Sequence, residues 1–221
     1  MEKESNNGLV IKSNYLVEAP CKLTITEQKI VYLILSMIDK NDKDFKDYKF
    51  RVVDFMEKLD LKGQSAYSQL KATTRLLRSR TFTIKYKDEN GDSHELQTGW
   101  VSDADYNDNT GTVTFYLSKK LKPFLLQLKE YFTVLELDNL MQMKSVYSTK
   151  LYELLKQYRK IGQRTFDLKE LKEKLAINKK SYELYNNFKR KVLLIAQEEI
   201  NEKTDIYFEF EEIKEARKVV A

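Results

Sequence analysis

Apolar positions along the chain change period several times, and each change marks an element. Across residues 24–38, Ile30, Val31, Ile34, Leu35 and Ile38 recur at helical spacing, with Thr24 and Thr26 near the start and Glu27 in the first turn. This predicts an amphipathic helix. Residues 41–47 are polar and turn-like, and 50–61 (Phe-Arg-Val-Val-Asp-Phe-Met-Glu-Lys-Leu-Asp-Leu) read as a short strand-like entry into a second helix that breaks at Lys62-Gly63. Ser65 stands where it would cap a third helix reaching about Ser79, with Ala66, Leu70, Thr73 or Thr74, and Leu77 on its inner face. Beyond it the period falls to two. Residues 81–87, 96–101 and 112–117 predict strands, with turns at 88–91 and 108–111.

Three helices followed by a hairpin is the order of a winged helix, and the second half of the chain repeats it. Residues 166–177 (Phe-Asp-Leu-Lys-Glu-Leu-Lys-Glu-Lys-Leu-Ala-Ile) align without a gap on 50–61, pairing Phe50 with Phe166, Val52 with Leu168, Phe55 with Leu171, Leu59 with Leu175 and Leu61 with Ile177. Ser65 and Ser181 pair at the same offset. The repeat predicts a duplicated domain. Ahead of the second copy, 145–160 predicts a helix with Tyr147, Leu151, Leu154, Leu155 and Tyr158 inward; after it, Ser181 opens a long helix to about Glu202, with Leu184, Phe188, Val192 and Ile195 on one face, and 206–210 alternates as a strand. The fold class is therefore α+β, two tandem winged-helix domains related by internal duplication, at residues 1–126 and 127–221. The boundary falls between Pro123, which can start a short helix but not sit inside one, and Phe132.

Composition mainly excludes. No Gly precedes a Lys, so no P-loop can form. His94 is the single His and Cys21 the single Cys, which removes Cys/His zinc sites, the paired-histidine metal site of rolling-circle nickases, and an intramolecular disulfide. No metal, cofactor or catalytic residue is expected. The longest apolar run, 30–38, is far shorter than the roughly 20 residues a membrane crossing needs, and no N-terminal stretch reads as a signal peptide. The cytoplasm is implied.

The net charge of +5 is modest, so its placement decides what it means. Residues 62–87 carry Lys62, Lys71, Arg75, Arg78, Arg80, Lys85 and Lys87 and no acidic residue. Lys71, Arg75 and Arg78 form one stripe beside the apolar face of the third helix, with Ser65 and Ser68 at its start. In the second copy Lys179, Lys180, Lys189, Arg190 and Lys191 stand against Glu183 alone, and Asn186, Asn187 and Arg190 share an outward face. Asn can pair bidentately with adenine and Arg with guanine, while flanking lysines suit phosphates. A basic helix face is usually just solvated, but two of them in the equivalent helix of a repeat, where a helix-turn-helix enters the major groove, point to double-stranded DNA. An RNA-recognition sheet would instead expose aromatics on strands.

With these residues in view, the chain resembles the iteron-binding plasmid replication initiators. The matching segments are 10–16 (Val-Ile-Lys-Ser-Asn-Tyr-Leu), 23–29 (Leu-Thr-Ile-Thr-Glu-Gln-Lys), 75–81 (Arg-Leu-Leu-Arg-Ser-Arg-Thr), 100–102 and 132–134, then 145–155 (Ser-Val-Tyr-Ser-Thr-Lys-Leu-Tyr-Glu-Leu-Leu), 188–193 (Phe-Lys-Arg-Lys-Val-Leu) and 199–205 (Glu-Ile-Asn-Glu-Lys-Thr-Asp). Two departures are Lys150, where the family usually has Arg, and Ala216, where it usually has Gly. The resemblance implies a non-enzymatic protein that binds directly repeated origin DNA, helps open the duplex and recruits the host initiator and replicative helicase. It also implies homodimerisation through the N-terminal domain and repression of the protein's own promoter. A transcriptional regulator on the same fold is the main alternative, since fold alone does not decide between them; a metal-dependent nickase is a more distant one.

Overall fold

A computed structural model describes residues 8–221; residues 1–7, which open the expected N-terminal domain, lie outside it. β1 (Leu9–Ser13) leads into α1 (Asn14–Glu18), whose Leu16 N–H is accepted by the Ser13 hydroxyl at 3.3 Å. α2 (Ile25–Leu35) starts at a reciprocal capping box, with Thr24 N–H on Glu27 Oε2 at 2.6 Å and Glu27 N–H on Thr24 Oγ1 at 3.2 Å. β2 (Tyr48–Arg51), α3 (Val52–Lys58) and α4 (Ala66–Ser79) follow, then β3 (Phe82–Lys87), β4 (Ser93–Thr98), β5 (Val101–Asn107) and β6 (Thr112–Leu117). α3 and α4 form the helix-turn-helix. β5 and β6 form the wing, completed by β2 in the order β2-β6-β5, and β3–β4 is a separate hairpin inserted before it.

The expected strand 96–101 is therefore wrong: it straddles two hairpins. At Gly99 an added Cβ would meet the Arg80 carbonyl at 3.0 Å, so any side chain there would press that backbone aside by a few tenths of an ångström. Trp100 turns inward onto Phe82 (ring centroids 5.0 Å apart), and the backbone leaves β3 to pair with β6. Ser102 sits at a bulge that shifts the register between Val101 and Asp103.

After α5 (Lys122–Leu125), which Pro123 opens, β7 (Phe132–Glu136) returns to pair antiparallel with β1. α6 (Leu137–Gln142), α7 (Val146–Gln157) and α8 (Leu168–Lys174) follow, then α9 (Tyr185–Phe188), a π turn at Lys189–Leu193, α10 (Leu194–Lys203), and the short β8 (Lys214–Glu215) and β9 (Lys218–Val219). α3 and α8 begin and end 116 positions apart, each followed by a left-handed residue, Asp60 at φ 54° and Ala176 at φ 51°. Val52 N–H donates to the Gly111 carbonyl at 2.9 Å, and its counterpart Leu168 N–H donates to the Val220 carbonyl at 2.8 Å. Each unit thus ties its second helix to its wing by the same bond. The duplicated winged helix read from the sequence is the fold observed.

Three expectations in the second unit fail. The long helix from Ser181 is interrupted: residues 180–182 make one tight turn, Leu184 is extended (φ −71°, ψ 116°), and the π turn then advances the helical phase. The inward residues become Phe188, Val192, Ala196 and Ile200, leaving Leu184 and Ile195 exposed. The 145–160 helix is shorter, and it is buried on nearly every side rather than on one apolar stripe, with Tyr147, Leu155 and Tyr158 only half-buried. Residues 206–210 alternate as expected but enter no strand ladder. A groove of about 510 Å³ lies between them and residues 163–166, floored by Leu151, Leu155, Leu171 and Phe188. In the first unit β6 occupies that place and lays Phe115 against Phe50 and Phe55, at centroid distances of 6.0 and 5.3 Å.

Candidate nucleic-acid interface

α4 buries Ala66, Leu70, Thr74 and Leu77 against the first core and turns its basic side chains outward. These cations are not equivalent. Arg75 is exposed, and among the described residues its side chain makes no ion pair or hydrogen bond. Lys71 is half-buried: its ammonium lies 4.3 Å from the Tyr67 ring centroid, 5.2 Å from that of Tyr106 and 3.4 Å from Asp108 Oδ1 on the wing turn. Tyr67 also donates its hydroxyl to Asp108. Those two partners, Tyr67 first, hold the Asp108 carboxyl below its ordinary value. Arg78 donates Nε–H to the Ser102 carbonyl at 3.0 Å, the carbonyl of the β5 bulge, and lies 3.6 Å from Asp103. Arg80 turns away from the outer face to Glu27, which is fully buried, at 3.1 Å. Expected as a DNA contact, it is an ion-paired bridge from the end of α4 to the start of α2.

The remaining first-unit candidates lie at the approach to α4. Lys62 is exposed and pairs with Asp60 at 2.6 Å. Ser65 precedes the helix but does not cap it; at φ −89°, ψ −5° its hydroxyl accepts from Gln69 Nε2 at 3.2 Å instead of from a helix N–H. Ser68 is exposed and donates to the Ser65 carbonyl at 2.8 Å.

In the second unit Lys179 and Lys180 occupy the tight turn ahead of α9, with Lys179 5.8 Å from the Tyr182 ring centroid. Asn186, Arg190 and Lys191 are exposed. Asn187 is half-buried, and its amide donates to the Ser181 carbonyl at 2.9 Å, which fixes the turn rather than offering a free edge. Lys189 pairs with Glu212 at 2.7 Å. That ammonium, with Tyr185 and Lys214, holds the Glu212 carboxyl down at about 2. Within the π turn Lys189 faces the 206–213 segment through Glu212, while Arg190 and Lys191 face solvent.

The sequence reading places a second wing but leaves its basic residues out of the site. Lys214, Arg217 and Lys218 flank the β8–β9 turn and are exposed. The signal was present in 214–218, Lys-Glu-Ala-Arg-Lys, but the strands carrying it are too short to register by period. In the first wing residues 101–111 carry Asp103, Asp105 and Asp108 and no Lys or Arg, whereas the segment entering the second carries Glu209, Glu211 and Glu212 ahead of its basic tip, so the sign differs only at the tips. Ala216 holds the wing turn at φ 53°, a conformation that favours glycine, so the departure at this position strains the turn without abolishing it. Among the described residues no group of three or more His, Cys, Asp or Glu side chains could hold a metal ion, and no helix is long and apolar enough to cross a membrane.

Two family models match the chain, one described as "Initiator Replication protein, WH1" over residues 9–156 and one as "Initiator Rep protein, WH2" over 167–221. The first extends through β7 and α7, past residue 126. Among curated proteins, the chain is 24% identical to an Escherichia coli protein named PI protein, across 88% of this chain and 74% of that one. It is 23% identical to an uncharacterized 27.6 kDa protein of Escherichia coli, across 93% and 90%. Among solved structures, a Pi initiator protein crystallised in complex with iteron DNA superposes with a TM-score of 0.76 at 23% identity, covering 97% of this chain and 95% of that one.

Proposed function

Since the chain belongs to the initiator replication protein family, with both of its winged-helix units present, we propose that it binds directly repeated double-stranded DNA at a plasmid origin. The observation that carries this reading is the duplication: two helix-turn-helix units present cation-bearing third elements, Arg75 on one and Arg190 with Lys191 on the other. The relative solved with iteron DNA superposes over both units, which supports the same use of the fold. From this binding follow the finer roles we infer: helping to open the origin, recruiting the host initiator and replicative helicase, dimerising through the N-terminal unit, and repressing its own promoter. The protein acts in the cytoplasm as a binding protein without catalysis of its own.

Selection of duplexes from a randomised library tests the reading. Enrichment of one motif of roughly 20 bp, spanning two successive major grooves, is expected, because grooves on one face recur about every 10–10.5 bp. Enrichment of a single half-site would contradict joint engagement, and an inverted repeat would favour the transcriptional regulator.

A further inference from the structure

The tips of the two wings carry opposite charge, and the N-terminal one is bonded to cations of its own recognition helix. A wing ordinarily lies beside the DNA backbone, where Arg217 and Lys218 suit phosphate and Asp103, Asp105 and Asp108 oppose it. In the first unit Asp108 engages Lys71, while Asp103 and the bulge carbonyl of Ser102 engage Arg78. Two of the three cations on the outer stripe of α4 are therefore already partnered, and Arg75 has no partner among the described residues. In the second unit Arg190 and Lys191 have no such partner among them either, and the acidic Glu212 engages Lys189 and Lys214 instead.

On the DNA-binding reading above, we propose that the acidic wing of the N-terminal unit is a brake on that unit's attraction for DNA. Asp103 and Asp108 withhold Arg78 and Lys71 from the phosphates of arbitrary duplex. The exchange of carboxylate for phosphate is completed only where Arg75 finds its base edge and holds α4 in the groove. The N-terminal unit thereby adds little sequence-independent attraction, while the C-terminal unit, with its basic wing tip, supplies it. The carboxylates act through the cations they hold, as positioning residues.

The test uses the full chain, a duplex enriched from the randomised library, and a scrambled duplex of the same composition. Asp103→Asn with Asp108→Asn should raise affinity for the scrambled duplex roughly 10-fold and steepen its log-log salt dependence by about two units, one for each cation freed to a phosphate. Affinity for the enriched duplex should rise at least as much, because the parent must break both ion pairs to bind it. Asp105→Asn removes the same charge from a carboxylate that, among the described residues, pairs with no cation, and should change affinity for either duplex less than about two-fold. Lys71→Gln should leave scrambled binding nearly unchanged in the parent and cancel part of the gain in the Asp108→Asn background. No tightening of either duplex, tightening of the scrambled duplex alone, or an Asp105→Asn effect as large as the others would overturn the proposal while leaving DNA binding intact. Failure of the parent protein to enrich any duplex would overturn the DNA-binding reading and this proposal together.

Discussion

Glu153 shows what a buried charge needs. It is 2% exposed on α7, yet Lys12 of β1, Lys150 of its own helix and the Tyr32 hydroxyl of α2 all converge on it. Burial pushes the carboxyl up, but the Lys12 and Lys150 ammoniums outweigh that and hold it below its ordinary value. Lys150, also buried, is pulled down to about 8 by desolvation; its ammonium is satisfied by the carbonyls of Val17 at 2.5 Å and Ala19 at 2.9 Å. An Arg at 150 would keep the charge but not this compact three-donor head, so the departure from the usual family residue is matched to its socket. Glu153→Gln leaves two buried ammoniums without a counter-charge and should destabilise the protein by about 3–5 kcal/mol in urea denaturation. The sign of the pH dependence follows from the lowered carboxyl. Its contribution is complete above the ordinary value of 4.5 and is lost as pH falls through the folded-state value. Unfolding curves from pH 7 to 3 should therefore show a steep acid limb, and that limb should flatten in Glu153→Gln; equal steepness in both would assign acid lability to other carboxylates.

The third helical elements differ in how much of their geometry could be read in advance. α4 carries Ala66, Leu70, Thr74 and Leu77 at regular spacing, so its buried face and its basic stripe were legible from the chain alone. What periodicity cannot show is a partner, and the engagement of Lys71, Arg78 and Arg80 depends on a wing strand, a bulge and a distant Glu27. In the second unit the extended Leu184 and the π turn each shift the phase, and a single-period reading set Leu184 and Ile195 inward. The matching segments around 145–155 and 199–205 have a physical basis of their own. Ser145 caps α7, Glu199 accepts from the N–H groups of Lys144 and Ser145 at 2.9 and 3.0 Å, and Asp205 accepts from Tyr152, Lys156 and Arg159 at 2.6–2.8 Å. The corrected geometry gives the basic residues different tasks. Arg190→Ala should lose about 1–3 kcal/mol against the enriched duplex and relax selection at one base pair, whereas Lys191→Ala should weaken all duplexes alike and lower the salt slope by about one. Lys189, held by Glu212, should lower that slope by much less. Competition binding with single-base variants separates the three, and an Arg190→Ala loss uniform across variants would make Arg190 a phosphate contact.

At the scale of the molecule, α7 decides how the two recognition elements are spaced. It follows β7, which is paired into the first unit, and packs against α1 on one side and α10 on the other. Its buried Thr149 bonds Gln28 of α2 at 2.5 Å, while Lys156 reaches both Glu136 of β7 at 2.7 Å and Asp205 beyond α10 at 2.6 Å. A third tie crosses further out, where Arg164 grips Glu18 of α1 through both guanidinium nitrogens at 2.6 and 3.0 Å and Lys174 of α8 meets the same carboxylate. One continuous apolar core, from Val10 to Ile200, runs beneath these contacts. Two units joined only by a flexible segment would find their grooves independently, and linker length would set the gain from joint binding. Joined through a shared buried helix, they hold α4 and α9 at a fixed separation and angle, so the DNA must present its two grooves in one phase. Inserting 5 bp between the halves of the enriched site turns the second groove to the opposite face of the duplex, since a full turn takes about 10–10.5 bp. Affinity should then drop to that of a single unit, a loss of roughly 100-fold or more as joint engagement is abolished. Inserting 10 bp restores the face but not the distance, so rigid coupling predicts no recovery, whereas a flexible connection predicts that most of the affinity returns. Titration of the three duplexes under one salt condition distinguishes these cases, and recovery at 10 bp would mean that the ties through α7 yield when both units bind.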